Sequence, residues 1–158
     1  AQTATMDGLA RDIPEEARKL AEAFWPGGLT LILHAQPSLT WDLGETRGTV
    51  ALRVPNDDTA LELLGQTGPL AVSSANRTGN AAALDVEQAI AQLGESVDVY
   101  LDGGPRGAAG EEVLPSTIID CTGAHLQVVR SGAISIEELR VVVPGILDLG
   151  QDAPETGA

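Results

Sequence analysis

The chain has 158 residues, 43% of them hydrophobic, and a formal net charge of −14 from nine basic and twenty-three acidic side chains. That length and apolar share suffice for one domain with a core of its own, while the negative field opposes strong autonomous binding to nucleic acid. A lone cysteine, Cys121, excludes a disulfide framework, two isolated histidines, His34 and His125, make a dedicated metal site unexpected, and neither a membrane-length apolar run nor a basic-then-apolar leader is present, so a reducing, cytoplasmic setting is expected.

Residues 1–11 show no strong period and read as the tail of something preceding them; an opening Ala1 in place of Met fits a fragment or a processed chain. From Asp12 a helix is predicted. Pro14 suits its first position, Glu15 and Glu16 suit the positive end of the dipole, and Ala17, Leu20, Ala21 and Phe24 share one face, with Pro26-Gly27-Gly28 as the stop. Leu29 to His34 reads as a strand apolar on both faces and therefore central. Pro37 to Gly48 is a loop carrying Trp41, Asp42 and Arg47. In the strand Thr49 to Val54, period two places Thr49, Ala51 and Arg53 on one face and Val50, Leu52 and Val54 on the other. An arginine inside a strand is costly unless it meets an anion; the other reading is an edge-strand side chain reaching solvent. Asn56 or Asp57 caps a short helix through Ala60, Leu61 and Leu64, ended by Gly65.

The stretch Gly68 to Asn80, GPLAVSSANRTGN, is the chemically suggestive one. Leu70, Ala71 and Val72 read as a buried strand end, after which Ser73, Ser74, Asn76 and Thr78 supply donors and acceptors for a polar ligand. The competing reading is a Ser/Asn-rich turn that caps its own backbone. Asp85 and Gln88 open the next helix in capping-box fashion, with Gly94 at its end, and Val97 to Leu101 is expected as a strand. The glycine-rich connection 102–115 is long enough to be a lid or disordered. Thr117 to Asp120 and His125 to Arg130 read as a hairpin, Ser135 and Glu138 as a capping box, and Pro144 onward as an acidic, mobile tail. These elements give an α/β (α+β) fold, one mixed sheet with flanking helices, in a single domain over 1–143 and a tail over 144–158. No G-x-G-x-x-G or P-loop supports a doubly wound nucleotide fold, and no G-x-S-x-G elbow supports Ser-His-Asp catalysis.

Taken together and in order, FWPGGLTLIL, GTVALRVP, GPLAVSSANRTG, LDGGP, PSTIID and VVRSGAIS resemble the YrdC-like threonylcarbamoyl-AMP synthases from about Ile13 to about Leu139. The resemblance implies a single YrdC-like domain with a twisted mixed sheet. It further implies an enzyme that joins bicarbonate to the amino group of L-threonine and lets the carbamate attack the α-phosphate of ATP, with Mg2+ accompanying ATP. A threonylcarbamoyltransferase complex that modifies tRNA would receive the product. By the same resemblance Thr49, Ser74, Asn76 and Arg130 look like ATP contacts, and Arg53, Ser74 and Ser116 like threonine contacts, with no general acid or base among them.

The sequence departs from the family pattern at Ser131, where proline is usual, at Pro115, where glutamate is usual, and at Ala82-Ala83-Leu84, where many relatives carry Ser-Pro-Thr. The family's opening P-T-D/E-T-x-Y-G-L stretch and K-x-R element are not found, so an N-terminally incomplete synthase domain is expected, inactive by itself. The alternative is a noncatalytic YrdC-like binding or regulatory module, or a carbamoylation domain of a larger protein.

Overall fold

The computed structural model describes residues 2–107 and 113–153, which divide into two compact units, 1–61 with 114–158, and 62–113. The first unit carries the sheet. Leu29–Ala35 (β2) alternates buried Leu29, Leu31 and Leu33 with half-exposed neighbours, and it is paired along both edges. Thr49–Leu52 (β3) runs antiparallel on one side with Leu31 opposite Leu52. Thr117–Asp120 (β4) runs parallel on the other with Leu29 opposite Thr117, and Gln127–Arg130 (β5) extends the sheet antiparallel to β4. The mixed pairing and the central strand agree with the sequence reading. Glu15–Phe24 (α2) buries Ala17, Leu20 and Ala21 against β2, and Ile136–Val142 (α5) packs on α2 through Leu139. Ser135 closes a full capping box with Glu138 at the start of α5.

Residues 1–11 are a correction. Gln2–Leu9 is a helix (α1) and Ala10–Arg11 a short strand (β1) antiparallel to the end of β2, with Met6 and Ala10 buried in the core. Their weak periodicity hid this, because a helix anchored by one large side chain leaves little repeat to read. A second correction falls at 144: Ile146 and Leu147 are buried, and Leu147 bonds the backbones of Leu126 and Val128, so the chain stays docked well into the expected tail. Residues 154–158 lie outside the described set.

Helix α3 (Asp58–Thr67) leads from the first unit into the second. Asp57 accepts from Ala60 N at its start, and α3 runs through Gly65 to stop at Gly68, whose φ of 77° lies in the left-handed region that glycine enters without strain. In the second unit Val86–Leu93 (α4) is capped by Asp85, whose carboxylate accepts from Gln88 N, and ends at Gly94 before a 3-10 turn over Gly94–Ser96. Two expected strands are not found there. Leu70 to Val72 and Val97 to Leu101 form no ladder among the described residues, and Val72 is 86% and Val99 70% exposed. An apolar run becomes a strand only when another backbone satisfies its N–H and C=O groups, and no such partner is paired with these runs. The connection 102–115 is described only in part, since 108–112 lie outside the described residues.

Candidate functional site

The residues expected to bind ligand divide between the two units, and each group stands by itself. In the first unit the turn after α2 sets the geometry. Trp25 Nε1 donates to Leu29 O at 2.8 Å, Gly27 N donates to Val54 O at 2.8 Å, and Thr117 N donates to Gly28 O at 2.9 Å, so the Pro26-Gly27-Gly28 turn is tied to both neighbours of β2. Arg53 lies one residue beyond β3 rather than inside it, and its Nε donates to Gly27 O at 2.9 Å. This settles the cost raised by a charge in a strand: the side chain is exposed, anchored by one N–H, with its forked Nη end making no hydrogen bond among the described residues.

Ser116 is 7% exposed and immediately precedes β4. Its Oγ lies 2.8 Å from Thr30 Oγ1 on β2 and 2.8 Å from Arg130 Nη2 at the end of β5. Arg130 also donates from Nε and Nη2 to Ser116 O, at 3.0 and 2.7 Å. Three bonds from one guanidinium therefore fix the serine's backbone and hydroxyl together. The following turn is pressed onto the same segment: Ala133 N donates to Pro115 O, Thr117 Oγ1 donates to Ile134 O, and Gly132 sits so close that a Cβ would lie 2.3 Å from Pro115 O. Only glycine fits that approach. Neither Arg53 nor Arg130 has a carboxylate partner among the described residues; Arg130 is spent on Ser116 and Arg53 on Gly27 O.

Thr49 is not part of this cluster. It faces His34 at the opposite end of β3 from Arg53, about 13 Å away at strand spacing, and its Oγ1 donates to Thr46 O. It lines a separate hollow of about 350 Å³ with Trp41, Leu43 and Gln36.

In the second unit Ser73 and Ser74 line a cleft of about 410 Å³ against α4 and the 97–106 segment, whose walls include Leu84, Val86, Val99 and Tyr100. Their hydroxyls make no hydrogen bond among the described residues. Asn76 behaves differently: its Nδ2 donates to the carbonyls of Arg77 and Asn80, its N donates to Ser74 O, and its Oδ1 is buried with no partner among the described residues. A self-capping turn and hydroxyls that line the cleft thus coexist in one loop.

The resolved pKa shifts lie away from both groups. Burial, helped by Asp120, pushes the Cys121 thiol up to about 12, and the Ser135 backbone and hydroxyl hold the Glu138 carboxyl below its ordinary value. No group of three metal-ligating side chains occurs among the described residues, and no helix there is long and apolar enough to cross a membrane. Thr30 and the Gly27 carbonyl escaped the sequence reading. Period two does place Thr30 on the face of β2 away from the buried leucines, which was the available signal.

The mixed α/β sheet gives the fold class, and comparison with known proteins gives the family. The Sua5_yciO_yrdC family model, described as "Telomere recombination", matches residues 1–132, and the chain belongs to that family. A Mycobacterium tuberculosis protein named "Putative threonylcarbamoyl-AMP synthase" is 49% identical over 139 residues, covering 88% of this chain and 62% of that protein. The Bacillus subtilis threonylcarbamoyl-AMP synthase is 33% identical over 90% of this chain and 41% of its own. Among solved structures, P. abyssi Sua5 complexed with L-threonine aligns at a TM-score of 0.83 and 30% identity over 98% of this chain and 45% of that one. E. coli YciO aligns at 0.74 and 27% identity over 87% of this chain and 65% of that one. The fold is the YrdC-like α/β fold, and the chain spans less than two thirds of the M. tuberculosis relative's length.

Proposed function

We propose that this chain supplies the threonine-side and part of the ATP-side binding surface of an L-threonylcarbamoyladenylate synthase acting in tRNA threonylcarbamoyladenosine formation in the cytoplasm. The observation that carries the proposal is the Thr30–Ser116–Arg130 network together with the Nη fork of Arg53, which makes no hydrogen bond among the described residues; both lie in the first unit. A carboxylate suits that fork, because two parallel N–H donors match its two oxygens. The reaction would condense threonine's amine with bicarbonate, losing water, and the carbamate oxygen would displace pyrophosphate from the α-phosphorus of ATP. Such chemistry asks a protein chiefly for alignment and for dispersal of charge. Mg2+ would enter with ATP as part of the substrate. The product would pass to a threonylcarbamoyltransferase complex. Ser73 and Ser74, with unengaged hydroxyls, are the ATP-side candidates in the second unit, together with Asn76.

A second reading is a YrdC-like binding module without turnover. Pyrophosphate release from ATP, threonine and bicarbonate separates the two. Turnover that requires all three substrates supports the synthase. Threonine binding without turnover supports the module, and binding of neither substrate refutes both. In a chain that binds threonine, Arg53→Ala should weaken it by about 1.5–3 kcal/mol, the usual worth of a charge-assisted bond. Arg130→Ala should weaken threonine as well as ATP, because Arg130 holds Ser116.

A further inference from the structure

We propose that Gln92 is the positioning residue of the Ser74–Ala81 loop, fixing from α4 the conformation in which Ser74 and Asn76 are presented. Gln92 lies in the last turn of a helix capped at both ends, so its backbone is the rigid side of the contact. Its Oε1 accepts from Arg77 N at 3.0 Å and from Asn80 Nδ2 at 3.3 Å, and its Nε2 donates to Ala81 O at 3.0 Å. The Gln92 carbonyl accepts from Arg77 Nε at 2.5 Å. Four bonds from one residue span the turn 77–81. Asn76 grips the same turn from within, through the carbonyls of Arg77 and Asn80, so the outer clamp by Gln92 and the inner clamp by Asn76 share their anchor residues. With both amide protons committed to those carbonyls, the Asn76 side chain is locked in one orientation.

Each of these bonds is exposed, and a single exposed bond would contribute little. Together they act as a chelate, because the glutamine is ordered once and the later bonds add no further ordering cost. The second unit also has only Ala89 buried among its described residues, so apolar packing contributes little to holding the loop. Polar bonds hold it instead, those within the loop and those that tie it to α4 through Gln92.

The consequence for ligand affinity rests on the proposed ATP-side role of this loop, whereas the clamp itself does not. The test uses the full chain as wild type, Gln92→Leu and Gln92→Glu, the last keeping both acceptor contacts. Amide exchange by NMR reads the clamp. In Gln92→Leu the Arg77 amide should exchange about tenfold faster while amides of α4 change by less than about twofold, and Gln92→Glu, which keeps the acceptor for Arg77 N but loses the donor to Ala81 O, should fall between Gln92→Leu and wild type. ATP titration reads the consequence: Kd should rise about tenfold in Gln92→Leu and less than about threefold in Gln92→Glu, at unchanged thermal midpoint. Unchanged Arg77 exchange in Gln92→Leu overturns the clamp. Altered exchange with unchanged Kd overturns its role in binding. A wild-type chain that binds no ATP overturns the nucleotide reading of this loop, and the exchange arm still decides whether Gln92 holds it.

Discussion

Gly132→Ala is the sharpest test of how the first unit's cluster is built. A Cβ there would lie 2.3 Å from Pro115 O, 2.6 Å from Ser116 C and 2.7 Å from Ser116 O. A comfortable C···O contact is about 3.3–3.6 Å, so one of two backbone segments must move by about 1 Å. No side-chain rotation relieves this, because every atom met is backbone. The movement strains the Ala133 N to Pro115 O bond and the pair from Arg130 to Ser116 O. Overpacking of this kind costs about 1–3 kcal/mol, and loss of one hydrogen bond adds about 0.5–1.5, giving about 2–4 kcal/mol in all. For a chain of this size that lowers Tm by about 5–15 °C. Urea unfolding followed by tryptophan fluorescence is the assay, since Trp25 and Trp41 both report on the first unit. Gly123→Ala is the control: its Cβ would meet only His125 O at 3.6 Å, an ordinary contact, and it should change stability by less than about 0.5 kcal/mol. If Gly132→Ala cost no more than Gly123→Ala, the close approach of the 131–134 turn to Ser116 would be refuted.

Gly8, inside α1 with open space around its Cα, should give a Gly8→Ala variant more stable by about 0.4–1 kcal/mol in the same urea assay; a loss would contradict the helix. Ser135→Ala removes the N-cap of α5 and should cost about 1 kcal/mol. The folded Glu138 carboxyl titrates below its unfolded value, so its contribution is present above the unfolded pKa and lost as pH falls through the folded one; Glu138→Gln should abolish that acid-side slope in stability measured against pH. The Cys121 thiol, pushed up to about 12 by burial, keeps its proton while an unfolded thiol near 9 would lose its own, so stability through this group should fall as pH rises from about 9 to 12. At pH 8 a thiol reagent should label the native chain at least about a hundredfold more slowly than the urea-unfolded chain, and equal rates would refute the burial.

What could be read from the sequence follows how local its cause is. The Asp85 and Ser135 caps, the central strand at Leu29 and the β4–β5 hairpin were legible because each depends on neighbouring residues or on an alternation that burial enforces. The strands expected at Leu70 and Val97 were misread because strand formation needs a distant partner that apolarity alone does not specify. Residues 1–11 failed in the opposite direction, since Met6 and Ala10 dock by tertiary contact with little pattern to announce it. The family resemblance singled out Arg53 and Ser116 as candidates, but the groups they bond were not legible: Thr30 and the Gly27 carbonyl meet them only once β2, β3 and β4 lie side by side. The residue pattern also placed Thr49 with Arg53 on one strand face. The strand ends at Leu52, leaving the two at opposite ends of β3.

The pairing of β2 has a consequence for how the chain is made. Its antiparallel neighbour β3 begins at Thr49, soon after β2 ends at Ala35, whereas its parallel neighbour β4 begins only at Thr117, about eighty residues beyond that end. During synthesis residues 29–52 therefore leave the ribosome with the Leu29 to Ile32 edge not yet paired by β4, and at about 5–20 residues per second that pairing waits for several seconds. Nascent-chain stalling before Thr117 would catch an adhesive intermediate, and the arrival of Thr117–Asp120 is the event that seals it.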